Sequence, residues 1–128
     1  MSTVSEHMSP APHPVGVEQN LAVAAQFMRK HAVRHLPVLH GGDIVGVLSA
    51  RDIVLLEAAE QAPLGDFTVE DAMSGDAYVV TPDTPLHEVL SEMSSRKLGS
   101  ALVAEGRNLR GIFTATDAVT LLAEHMKP

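Results

Sequence analysis

Two stretches of the chain carry apolar residues at helical spacing in the same order. Leu86, Val89, Leu90 and Met93 fall at i, i+3, i+4 and i+7, the spacing of one buried helical face, and Leu21, Ala24, Ala25 and Met28 follow the same rule. After each stretch the pattern shortens to strand-like apolar runs. Residues 36–39 and 44–49 flank His40-Gly41-Gly42-Asp43, a hairpin signal, and residues 101–104 and 109–114 flank a second turn at 105–108. A further helix is expected over about 51–62 and again over 116–125. Ahead of the first helices the pattern predicts a short helical turn, at 3–8 and 68–73, and then a short strand near Val15 and near 78–80. Asp83, Thr84 and Pro85 supply a helix start for the second copy.

The pattern is a repeat. Shifted by 65 positions without a gap, Thr3-Val4 falls on Thr68-Val69, Met8-Ser9 on Met73-Ser74, and Val38 on Val103. Gly46 falls on Gly111, Ala50 on Ala115, Asp52 on Asp117 and Val54 on Val119. Each copy reads β-α-β-β-α, the first over residues 1–62 and the second over 66–128, with Pro63-Leu64-Gly65 between them. One such unit leaves a small sheet with an apolar face that it cannot cover alone. Two units packed sheet to sheet bury both faces, so the expected class is α/β (α+β), with pseudo-two-fold symmetry.

Composition narrows the function. Apolar residues are 45% of 128, enough for a core, while aromatics are only 3%, so Val, Leu, Ala, Ile and Met must fill it. Sixteen acids against nine bases give a net charge of -7, which argues against nucleic acid as the main partner. Cysteine is absent, which removes disulfide, thiol and Cys-metal chemistry. No membrane span or signal peptide is expected, and a cytoplasmic location is the default.

Candidate chemistry sits where a strand runs into a helix, at Gly46-Val47-Leu48-Ser49-Ala50-Arg51-Asp52 and Gly111-Ile112-Phe113-Thr114-Ala115-Thr116-Asp117. Ser or Thr followed three residues later by an acid is a capping box. The same geometry welcomes a phosphate at the helix N-terminus, while a carboxylate can accept both hydroxyls of a ribose. The two readings are compatible.

The ungapped repeat, these two junctions and Arg34-His35-Leu36-Pro37-Val38 together resemble the CBS domain, and a tandem pair resembles the Bateman module. The resemblance implies a regulatory module that binds an adenosine-containing ligand (AMP, ADP, ATP or S-adenosylmethionine) in the cleft between the repeats. It assigns the ribose to Asp52 and Asp117. It brings Ser49 and Arg51, or Thr114 and Thr116, towards phosphate, with Arg34 and His35 as basic contacts and Ser100 at the matching place in the second copy. His13, Ala77 and Tyr78 would line the adenine pocket, although Tyr78 suits ordinary packing equally well. The first copy is the cationic one, because Gly99, Ser100 and Thr116 replace Arg34, His35 and Arg51.

The resemblance also implies a homodimer, for which Ile53, Leu56, Val119 and Leu122 on the last helices are the candidate contacts. A ligand-free dimer that docks on an unknown effector protein is the alternative. His31 and His35 stand four apart, but no Glu follows His31 and His35 falls past the expected helix end, so no metal site is expected. Asp66, Glu70, Asp71 and Asp76 read as a solvated face. No nucleophile–base constellation is visible, so no catalytic residue is expected.

Overall fold

The computed structural model describes residues 2–10 and 12–128. The chain forms two compact units, and these do not follow the sequence repeats. One is continuous, residues 13–77; the other is split, joining 78–128 to the described residues before 13.

In the continuous unit, β2 (Val15–Gly16) runs parallel to β3 (His35–His40), which pairs antiparallel with β4 (Asp43–Ser49). Helices α1 (Leu21–His31) and α2 (Ala50–Glu60) accompany this sheet, followed by the one-turn helix α3 (Val69–Ala72). The split unit repeats the plan with one more strand, in the order β1 (Ser9–Pro10), β7 (Asn108–Thr114), β6 (Ser100–Glu105) and β5 (Val79–Val80). Its helices are α4 (Leu86–Arg96) and α5 (Ala115–His125). The four long helices lie 65 residues apart in pairs, as the repeat requires.

Sequence explains each element locally. The Asn20 side chain accepts the Ala22 N–H at 2.8 Å and opens α1. Of the residues expected on the buried faces, Leu21, Ala24, Ala25 and Met28 of α1 and Val89 and Met93 of α4 are buried, while Leu86 and Leu90 are half-buried against the same core. Each fully buried Leu, Val or Met side chain contributes about 1.5–3 kcal/mol relative to exposure.

The opening segments have changed places. Val4 belongs to the core formed by Val89, Met93, Val103 and Phe113, all from the second repeat. Val69, its counterpart, is buried with Leu21, Leu36, Val38 and Leu48 of the first. The backbone follows suit. Thr3 bridges Pro85 and Asn20 bridges Thr68; Ser9 pairs with Ile112 and Ser74 with Val47. Ser74 and Val47 exchange hydrogen bonds of 2.9 and 3.0 Å. Gly46 and Gly111 permit this approach. A Cβ at Gly46 would collide with the Ser74 carbonyl oxygen, and one at Gly111 would strike the Met8 side chain and lie 2.9 Å from the Ser9 carbonyl oxygen.

One expectation about the surface needs correction. Ile53 is only 6% exposed and Leu56 packs against the same core, so neither faces outward. The exposed apolar residues of α2 are Val54 and Leu55. Ile53-Val54-Leu55-Leu56 is an unbroken apolar run, which periodicity cannot orient. Val119 and Leu122 of α5 are exposed as expected.

Candidate functional site

In the continuous unit, the end of the sheet gathers most of the first-copy candidates. His35 opens β3 directly opposite Ser49, the last residue of β4. The Ala50 N–H donates to the Arg34 carbonyl oxygen at 2.8 Å, tying the start of α2 to the segment before β3. The Asp52 N–H donates to Ser49 Oγ at 3.0 Å, and Asp52 Oδ2 accepts the Ser49 N–H at 3.0 Å. Arg34, His35, Ser49, Arg51 and Asp52 are therefore brought together by two strand ends and one helix start.

The split unit builds the same end with different chemistry. Ser100 opens β6 opposite Thr114, and the Ala115 N–H donates to the Gly99 carbonyl oxygen at 2.9 Å. Asp117 donates its N–H to Thr114 Oγ1 at 3.2 Å, and its Oδ2 accepts the Thr114 N–H at 2.9 Å. Ser100 is buried and Thr116 is exposed. No side-chain cation stands at the positions matching Arg34, His35 and Arg51.

The capping reading is thus realised at both junctions. It is also general, since the Thr3 N–H donates to Glu6 Oε1 and the Thr68 N–H to Asp71 Oδ2 in the two opening turns. Asp52 and Asp117 differ from those exposed acids in being half-buried. Each uses one carboxylate oxygen on its cap, and Oδ1 has no hydrogen bond among the described residues. An acceptor held rigidly with a spare lone-pair edge suits a diol.

The residues expected around adenine have other contacts. The His13 ring stacks on Phe27 with centroids 4.3 Å apart, and Phe27 meets His31 on α1 at 4.2 Å. Ala77 is half-buried in the continuous unit. Tyr78 packs on the core of the split unit, its carbonyl oxygen accepts the Leu102 N–H, and the Arg96 guanidinium carbon lies 5.5 Å from its ring centroid. Burial, with the Glu92 and Glu88 carboxylates adding to it, raises the Tyr78 phenol above its ordinary pKa.

Among the described residues no three His, Cys, Asp or Glu side chains converge as a metal site, and no helix is long and apolar enough to cross a membrane. The structure adds Arg29, which belongs to none of the sequence motifs. It lines a groove of about 460 Å³ between α1 and α2 together with Arg34. The run Arg29-Lys30-His31 in the last turn of α1 is the sequence signal that could have marked it.

The CBS domain profile matches the chain twice, over residues 4–58 and 69–124. The chain belongs to the CBS domain family. Hypoxic response protein 1 of Mycobacterium tuberculosis is 29% identical over 126 residues, covering 98% of this chain and 88% of that protein. An inosine-5'-monophosphate dehydrogenase of Korarchaeum cryptofilum is 31% identical over 104 residues, but the match spans only 21% of that enzyme. Two solved structures share the CBS-pair fold. One is a CBS domain pair in complex with 5'-methylthioadenosine and S-adenosylmethionine, with TM-score 0.81, 24% identity, and coverage of 98% of both chains. The other is CBSX2 in complex with AMP, with TM-score 0.82, 22% identity, and coverage of 99% of this chain and 100% of that one.

Proposed function

We propose that this CBS pair is a regulatory, non-catalytic module of the cytoplasm that senses an adenosine-containing nucleotide of the AMP, ADP or ATP class. The observation that carries the reading is the duplicated half-buried aspartate, Asp52 and Asp117, held by its cap with Oδ1 to spare. The ribose diol is the group such an acceptor suits. The family fold supports it, since two other proteins of this fold are solved with adenosine ligands.

The two ends are not equal in this proposal. Arg34, His35 and Arg51 give the first repeat the charge to hold a di- or triphosphate. Gly99, Ser100 and Thr116 leave the second end suited to a ligand with little phosphate. Binding favours one conformation over another by differential affinity. Two copies associate as a homodimer and pass that change to an effector protein.

Calorimetric titration with AMP, ADP, ATP, NADH and S-adenosylmethionine tests the reading. Saturable binding in the micromolar range, about -8 kcal/mol, is expected for at least one of them. Asp52→Asn and Asp117→Asn should abolish it while circular dichroism stays native. Absence of heat with all five ligands would instead favour the ligand-free scaffold, for which the similar caps at Thr3 and Thr68 are the supporting observation. Arg34→Ala should weaken ATP more than AMP.

A further inference from the structure

His13 and Tyr78 stand 65 residues apart, and so do Phe27 and Glu92, and His31 and Arg96. The two copies share no residue type at these positions, yet they share the contact. In the continuous unit the His13 ring stacks on Phe27 with centroids 4.3 Å apart and 23° between the planes, and Phe27 meets His31 one helical turn on. In the split unit Arg96 lies over the Tyr78 ring at 5.5 Å, and its Nη1 is 3.5 Å from Glu92 Oε2, one turn back along α4. Different chemistry thus joins a ring to the same two helix positions in both units.

Strand register shows where the rings stand. β2 runs parallel to β3 with Val15 opposite Val38, so His13, two residues earlier, comes level with the start of β3, where His35 faces Ser49. β5 runs parallel to β6 with Val79 opposite Leu102, which brings Tyr78 to the start of β6, where Ser100 faces Thr114. Each ring is therefore at the end of its sheet that carries the capped aspartate, Asp52 or Asp117. Each is also the first residue after the chain has crossed from one unit to the other. Pro12 and Pro14 lack the N–H groups that would tie the segment around His13 into a sheet, so its ring contact is an anchor. His13 stays exposed in spite of the stack, which leaves ring surface for a further planar group.

We propose that Phe27 in the first repeat and Arg96 in the second are positioning residues, which hold the His13 and Tyr78 rings for an adenine base by stacking at one end and by cation–π attraction at the other. His31 and Glu92 brace them from one turn away on the same helices. The inference rests on the adenosine-sensing reading above.

Calorimetry with AMP, and with ribose 5-phosphate as the same ligand without its base, tests it. In a chain carrying Asp117→Asn, which disables the second ribose site, Phe27→Leu keeps apolar bulk and removes the ring. It should weaken AMP about fivefold, since the stacked base loses its support, and leave ribose 5-phosphate unchanged. Phe27→Tyr should restore AMP. In a chain carrying Asp52→Asn, Arg96→Gln should weaken AMP in the same selective way and Arg96→Lys should restore it. Without any ligand, Phe27→Leu should shift the His13 ring protons downfield in the NMR spectrum, and unchanged shifts would overturn the stack itself. Unaltered AMP binding, or equal weakening of AMP and ribose 5-phosphate, would overturn the positioning role while the sensing reading stands. Failure of the wild type to bind any adenosine ligand would overturn both.

Discussion

Tyr78 is the single tyrosine and the chain has no tryptophan, so one residue reports its own environment. Its phenol is shifted upward, mainly by burial, so the folded state favours the neutral ring. That contribution to stability is complete below the ordinary value of 10.0 and is lost as pH rises through the higher folded value. Spectrophotometric titration of phenolate should show one midpoint above 10.0. Glu92→Gln should lower that midpoint and Arg96→Gln should raise it, since the guanidinium acts the other way. The caps make a second residue-scale prediction: Ser49→Ala or Thr114→Ala should cost about 1 kcal/mol in urea unfolding. The caps were legible in sequence because both partners lie three residues apart and need no knowledge of the fold. The environment of Tyr78 was not, because Arg96 reaches it only through the packing of α4.

Among the elements, the hairpins and long helices follow their apolar patterns closely. Strands expected over 36–39 and 44–49 extend over His35–His40 and Asp43–Ser49. The two-residue strands β2 and β5 fall at the places expected near Val15 and near 78–80, whereas β1 and the bridge at Ser74 are too short to have a period, and their partners had no local signature. Gly46 and Gly111 are the trace they left, read in sequence only as part of a motif. Gly46→Ala and Gly111→Ala should each cost about 2 kcal/mol, because the colliding atoms belong to an opposing backbone or a packed methionine. Gly65→Ala, with nothing within 4 Å of the added methyl, should change the urea midpoint little.

For the molecule as a whole, the 65-residue register exposed the duplication, but it could not reveal the exchange. Val4 and Val69 are the same residue in equivalent surroundings, so either opening segment satisfies either core, and the sequence is blind to the choice. Fragments make the difference measurable. Residues 13–77 should melt cooperatively as an isolated peptide, whereas 1–62 should not, since it lacks Val69 and the Ser74 pairing and strands Val4 without its core. The exchange also orders events on the ribosome. The continuous unit has every strand it needs once residue 77 has emerged, while Ser9 must wait for Ile112 to be synthesised. For that interval the nascent chain trails an opening ribbon with Val4 and Met8 uncovered, and a chaperone that engages there would meet its client before the second repeat exists.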